Sequence, residues 1–295
     1  MVHQTRVYFG HHKCASQYIK HILTQSVRLM GWSARSMPTP FVLPMDYHLR
    51  EPFTTQLEQQ RTMLAGGEYD FISIENADNE ALSILDANRN YRGFHVIRDP
   101  RDIVVSGYFS HRYSHPVSAD RLPWQWAHRL RLESLPDIED GLLAEIEYCA
   151  TYFERLRAWN YHHPRILECR YEEMIRDPLQ AFGQIFAFLE IPLAHPGAVL
   201  AVGMAGGWLR HKLWGVCIQR FSRFPEPLLR VILWRNSFRR RSGGRRAGSE
   251  DTKHHYRKGI AGDWRNYFSP CVKDAFKACY PDLLITLGYE ENNLW

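Results

Sequence analysis

Short apolar runs alternate along this chain with longer stretches of helical periodicity, and that alternation limits the fold more than any other feature. Arg6-Val-Tyr-Phe9 is a brief β-like run ending at Gly10 and a polar turn. Residues 16–30 follow, with Ile19, Ile22, Leu23, Val27 and Met30 at helical spacing. Tyr69-Asp-Phe-Ile-Ser-Ile74 reads as a strand and residues 77–87 as a helix. Gly93-Phe-His-Val-Ile97 is the next short run, and Asp99-Pro100 after it supplies an N-cap and a first-turn proline for a helix through Phe109. Residues 139–159 read as one long amphipathic helix, 164–169 as a further strand, with helices from there to Leu189. Strands interleaved with helices predict a central, mainly parallel sheet flanked by helices on both faces. With 295 residues and no internal repeat, a single α/β domain over residues 1–295 is the economical expectation.

Composition narrows the class. The chain is 45% hydrophobic, which excludes a disordered or fibrous protein. Its net charge of +5 is unevenly placed. Residues 207–246 hold eleven arginines and lysines against Glu226 alone, leaving the remainder of the chain net acidic. Six scattered cysteines without a C-x-x-C spacing read as reduced, mostly buried thiols. The adjacent pairs His11-His12, His162-His163 and His254-His255 are poor metal ligands, because neighbouring side chains diverge on a helix or strand; no metal is expected. No apolar run reaches the length of a signal peptide core near the start, or of a membrane span anywhere. A cytoplasmic protein is the expectation.

Three places suit an anion. Gly10-His-His-Lys13-Cys-Ala-Ser16-Gln-Tyr18 turns from strand to helix, where unpaired backbone N–H groups meet the positive end of a helix and Lys13 adds a charge. It lacks the G-x-x-x-x-G-K-[ST] pattern of a Walker A loop. Arg98 stands at a strand end, with Ser106 two helical turns further, so both can address one phosphate; pairing of Arg98 with Asp99 or Asp102 is the structural alternative. Tyr256-Arg257-Lys258-Gly259-Ile-Ala-Gly262-Asp263-Trp264 sets two cations before a glycine-bounded turn, an anion cradle or an exposed basic loop.

In order and spacing these segments resemble the sulfotransferases that use 3′-phosphoadenosine 5′-phosphosulfate (PAPS). Lys13-Cys-Ala-Ser16-Gln-Tyr18 is similar to the family's 5′-phosphosulfate loop, K-S-G-T-T-W. Arg98-Asp-Pro-Arg-Asp-Ile-Val-Val-Ser106 is similar to the 3′-phosphate motif R-[ND]-P-[KR]-D-x-x-V-S, and Arg257-Lys-Gly-Ile-Ala-Gly-Asp-Trp264 to R-K-G-x-x-G-D-W-K-N. Tyr171-Glu-Glu-Met-Ile-Arg-Asp-Pro178 resembles Y-E-D-M-x-x-D-P, whose tyrosine approaches the adenine. The resemblance implies a P-loop-like sulfotransferase fold and metal-independent, in-line transfer of a sulfuryl group from PAPS to an acceptor hydroxyl or amine. It implies that Lys13 stabilises charge on the departing bisphosphate. Cys14, Ala15, Ser16, Gln17 and Tyr18 would form the loop around the 5′-phosphate; Arg98, Ser106, Arg257, Lys258 and Gly259 would hold the 3′-phosphate, and Tyr171 would lie by the base.

The acceptor needs a general base. Where the family's small-molecule enzymes keep a histidine, this chain has Asn76. Its neighbour Glu75 is the first candidate, Asp46 the second and His48 the third; a helix-capping role for Glu75 is the alternative. The basic, aromatic stretch at about 207–250 corresponds to a region that in relatives forms a lid, and its mixture of Trp208, Leu213 and Trp234 with arginines also suits a membrane surface over 208–246. The acceptor class stays open between small molecule, glycan and lipid; nucleic acid is not expected. Competing readings are a nucleotide kinase or other P-loop NTPase, and a non-enzymatic polyanion binder using the arginine-rich stretch.

Overall fold

The computed structural model describes residues 3–37, 53–66, 68–117, 123–195, 197–215 and 219–295, with the side chains of 53–57 and 214 left aside. Its centre is a five-stranded sheet of β1 (Gln4–Phe9), β2 (Ala34–Ser36), β3 (Phe71–Ile74), β4 (Asn90–Ile97) and β5 (Ile166–Arg170), in the order β2-β3-β1-β4-β5. Every pairing in it is parallel, with Val7 opposite Ile72 and Tyr8 opposite Phe94. The expected sheet is therefore present, and β2 is a strand too short to leave a period in the sequence.

Alternation along β1 explains why both faces are covered. Val7 and Phe9 join Ile72, Ile74, Leu82, Leu85 and Trp159 in one buried cluster. Tyr8 points the other way, into a cluster with Phe94, Ile19, Ile22, Phe182 and Phe186. Successive strand side chains face opposite layers, so a fully apolar strand requires cover on each side. Helices α1 (Ser16–Leu29), α2 (Phe53–Ala65), α3 (Asn79–Asn88) and α4 (Pro100–Phe109) are the first of that cover. Asp99 caps α4 by accepting from the Arg101 N–H at 3.0 Å, with Pro100 as its first residue.

α5 (Pro123–Ser134) precedes the expected long helix, which is divided into α6 (Ile138–Tyr148) and α7 (Ala150–Ala158). Cys149 between them has ψ near −6°, which turns the axis without breaking the backbone ladder: its N–H donates to Glu145 and its carbonyl accepts from Phe153. Both halves feed Leu142, Ile146, Phe153 and Leu156 into one cluster, so the apolar period runs unbroken across the bend and the sequence shows a single helix. α8 (Tyr171–Arg176) and α9 (Pro178–Phe188) follow, then α10 (Ala198–Trp214), α11 (Glu226–Asn236), α12 (Phe238–Arg241), α13 (Pro270–Cys279) and α14 (Leu283–Thr286). Part of the basic stretch is built into the core. Leu229, Ile232 and Leu233 of α11 are buried against α1. No described helix is long and apolar enough to cross a membrane.

Candidate active site

From β1 the chain passes to β2 at one edge and returns to β3, which lies between the two, then crosses to β4 and β5 on the other side. The order reverses at β1 and β4, and such a switch leaves a crevice beyond the carboxyl ends of the two strands. β1 ends at Phe9 and runs into the Lys13 turn; β4 ends at Ile97 and is followed by Arg98. Both ends open onto one cavity of about 540 Å³.

The turn is pinned at its base, where Gly10 donates to the Ile74 carbonyl and accepts from Ala77, each at 2.9 Å. Lys13 and Ala15 both take positive φ, 57° and 60°. This folds the backbone back sharply enough to start α1 at Ser16, with no side-chain cap and no acidic residue in its first turn. A helix start of that kind presents N–H groups and partial positive charge. Burial pushes the Lys13 ammonium down to about 8, with Arg98 adding to the fall and the Glu145 carboxylate opposing it. His12, His111, His115 and His255 are all lowered as well, chiefly by burial, with Lys13's charge contributing to each. The charge of Lys13 thus disfavours protonation of each of these imidazoles.

Arg98 is buried and fixed from three directions. It donates from Nη1 to the Lys13 carbonyl at 3.1 Å, lies 3.7 Å from Asp102 through Nη2, and stacks 4.6 Å over the Tyr171 ring. Its buried Nε has no partner among the described residues. Beside it, Asp102 accepts from the Gly262 and Trp264 N–H groups at 2.7 and 2.9 Å, and so ties the loop that follows Arg257 to α4. Arg101 locks the same joint: it pairs with Asp99 and Glu290 at 2.8 and 2.5 Å and lies 3.8 and 4.6 Å from the ring centres of Trp264 and Trp295. The loop then returns Arg257, Lys258 and Gly259 to the cavity wall. Gly259 has φ of 67°, and a Cβ there would come within 2.3 Å of the Phe238 ring, so only glycine fits. Arg257 is ion-paired with Glu250 and Asp263, and Lys258 with Asp263 at 2.7 Å. The sequence-level pairing of Arg98 with Asp102 is also real, so the two readings of Arg98 are not exclusive.

Beneath the Lys13 turn lies a buried polar group of side chains. Burial would raise the Glu145 carboxyl, but His111 and His128 hold it down to about 2, with bonds of 2.9 Å to His111 Nδ1 and 2.7 Å to His128 Nε2. Gly107 makes room for it, since a Cβ there would lie 2.1 Å from the Glu145 oxygen. Donor atoms of His12, His111 and Glu145 fall within 4.8 Å of one another. The His12 and His111 rings, however, stack within 13° of parallel. In-plane lone pairs on parallel rings do not converge, so this group is poorly shaped for a metal ion.

Of the residues singled out from the sequence, Lys13, Ala15, Ser16, Gln17, Tyr18, Glu75, Arg98, Ser106, Tyr171, Arg257, Lys258 and Gly259 all line the cavity. Cys14 does not. Its thiol is buried in the core and donates to the His12 carbonyl at 3.5 Å, because the left-handed residues on either side turn it inward. Asp46 and His48 lie outside the described residues. Glu75 is ion-paired with Lys20, and the capping of α3 falls instead to Asp78, which accepts from Ala81 at 2.9 Å. His12, His115, Trp124, Gln125 and Tyr152 also line the cavity and were not anticipated there. His12 belongs to the Lys13 turn and Tyr152 to the amphipathic stretch 139–159, and neither carries a local signal for the cavity.

Residues 81–204 match the family model described as the sulfotransferase domain. Across solved structures, the whole fold is similar to mouse sulfotransferase SULT7A1 complexed with PAP, with a TM-score of 0.57 at 15% identity, covering 97% of this chain and 88% of that one. It is also similar to retinol dehydratase in a complex with retinol and PAP, at a TM-score of 0.50 and 15% identity over 95% of this chain and 81% of that one. At such identities the likeness is one of fold: the chain has the sulfotransferase fold, a single α/β domain with a central parallel sheet flanked by helices. Among curated proteins, sulfotransferase 2B1 of mouse is 24% identical over 188 residues, 63% of this chain. That match spans 46% of the mouse protein, a little under half of its length. Residues 81–204 are thus similar to a sulfotransferase domain, within a chain whose whole fold is similar to that of sulfotransferases.

Proposed function

We propose that this protein transfers a sulfuryl group from PAPS to an acceptor hydroxyl or amine. The observation that carries the reading is convergence: the Lys13 turn, Arg98 and the Arg257–Gly259 loop, far apart in the chain, line one cavity at the switch point of the sheet. The chemistry of the donor set fits a bisphosphate nucleotide. It has an uncapped helix start, a lysine, a buried arginine with an unpartnered Nε, and backbone bared by a glycine. PAP in the mouse and retinol dehydratase complexes supports the same choice. The nucleotide kinase alternative is not favoured, since it needs the Walker A loop this turn lacks.

When bound, PAPS supplies an activated sulfuryl group whose departure leaves charge on a phosphate oxygen. Ser16, Gln17 and Tyr18 offer their N–H groups to the 5′ side, and Lys13 stabilises the developing charge there. Arg98 and Ser106 take the 3′-phosphate, with Arg257, Lys258 and the Gly259 backbone completing that wall. Tyr171, stacked on Arg98, flanks the base. Glu75 takes the proton from the acceptor. His12 is the poorer base, because protonating it would add a further cation where Lys13 and Arg98 already stand together. Cavity-lining Phe109, Trp124, Tyr152, Leu233 and Phe238 favour an acceptor with an apolar or aromatic body. Retinol in retinol dehydratase supports that choice over a glycan.

Thermal unfolding with adenosine 3′,5′-bisphosphate tests the proposal. At about a hundredfold over its Kd the ligand adds about 2.7 kcal/mol of stability, and Arg98→Ala removes most of it. Equal stabilisation by ATP, or none by the bisphosphate, overturns the reading.

A further inference from the structure

α10 runs for seventeen residues, nearly all apolar up to Leu209, yet little of it is covered. Met204 is its fully buried side chain among those described, packed in the cluster with Tyr8 and Phe224. Val199, Val202, Leu209 and Leu213 are 88%, 74%, 49% and 59% exposed. With Gly206, these positions advance in steps of three, four, three and four, which sets them on one stripe of the helix. A Cβ added at Gly203, Gly206 or Gly207 would touch nothing within 4 Å, so the outer side is open. A stripe facing the core is the normal state of a surface helix; here the stripe faces away from it. A helix with this composition in water is a helix with a missing partner.

Charge says what the partner is. Arg210 and Lys212 follow and precede stripe residues and so flank it on either side, while Trp208 lies under the Lys212 ammonium at 5.3 Å. α11, packed against α10, exposes Val231 and Trp234 and continues into Arg235, Arg239 and Arg240, all exposed, with Arg240 stacked 3.8 Å over Trp234. Apolar stripe, interfacial tryptophans and flanking arginines together form the pattern of a helix lying in the plane of an anionic bilayer. Two features weigh against a second copy of the chain as the occupant. The stripe is only two heptads long, short of the three or four a coiled-coil seam needs. Pairing would also bring two strongly basic faces together.

We infer that α10, with the outer face of α11, docks this protein on a membrane surface rich in anionic lipid. The helix lies flat, since it is too short to span. α11 links that surface to the active site: Leu233 and Asn236 line the cavity while Val231 and Trp234 face outward. A docked molecule therefore holds its cavity wall close to the lipid, where an apolar alcohol partitions.

Co-sedimentation of the full chain with vesicles tests this. On phosphatidylcholine vesicles containing about one-third phosphatidylserine, binding is expected at least about tenfold tighter than on phosphatidylcholine alone, and weaker as salt rises. Leu209→Glu with Leu213→Glu abolishes binding; Arg239→Glu with Arg240→Glu reduces it to the level on neutral lipid. Both variants keep the wild-type melting temperature and the stabilisation by adenosine 3′,5′-bisphosphate, so loss of docking is separable from misfolding and from failure of the sulfotransferase reading. No binding to anionic vesicles, equal binding to neutral ones, or full binding by the Leu209/Leu213 variant overturns the inference. So does a concentration-dependent dimer that the same variant dissolves, which would assign the stripe to a second copy.

Discussion

On the proposed function, the cavity has an anion end and an acceptor end, and the two are made in opposite ways. The anion end comes from three contiguous stretches, each bringing several residues at once: the Lys13 turn, the start of α4 and the loop from Arg257 to Trp264. Neighbouring residues in those stretches have divided labour. Arg98 faces the cavity while Arg101 and Asp102 hold the returning loop against α4. The acceptor end is assembled from single residues on separate elements: Glu75 after β3, His115 beyond α4, Trp124 on α5, Tyr152 on α7 and Leu233 on α11. Binding a fixed, highly charged group requires backbone shape and so uses contiguous loops. Enclosing an apolar body requires only that side chains meet, and distant elements can supply them.

That contrast can be broken by experiment. The largest effect belongs to Lys13→Ala, for which turnover falls about 10²–10³-fold while bisphosphate affinity, measured by calorimetry, changes far less. The reverse pattern would make Lys13 a binding residue alone. Glu75→Gln follows, with turnover down about 10²-fold and bisphosphate binding unchanged; if instead His12→Asn alone has this effect, the base sits on the anion side and the division of the cavity fails. Acidity sharpens the comparison next. In the free protein Lys13 titrates at about 8, and a bound anion favours its protonated form. Turnover needs that protonated form, so kcat/KM is lost as pH rises above about 8, towards about tenfold per pH unit, while bisphosphate affinity changes far less; Lys13→Ala flattens that limb of the profile. The smallest effect is Ala15→Gly. Ala15 holds φ of 60° where the resembling motif has glycine, so the substitution raises unfolding stability by about 0.5–1 kcal/mol in denaturant titration.

The same division governs what could be read before the structure was known. Asp99-Pro100 announced α4 to the residue, since capping is a local matter of one carboxylate and one missing N–H. The bend at Cys149 was invisible, because both helices bury the same side and the period passes through it. Cys14 was grouped with its loop neighbours, yet the left-handed conformations of Lys13 and Ala15 send its thiol to the core. Glu75 was legible as a cavity carboxylate but not as the partner of Lys20, since that pair joins residues far apart in the chain.

The alternation of strands and helices and the candidate anion-binding residues were determined by the amino-acid sequence, because hydrophobic period, caps and glycine turns act over a few residues; the short β2 and the lateral order with its switch at β1 and β4 were not. Tertiary structure alone decided that Arg98, Lys13 and Gly259 share one cavity, that Glu145 lies buried between two histidines, and that the stripe of α10 is left facing outward. Those outcomes depend on how whole elements pack, and no local interaction along the chain encodes them.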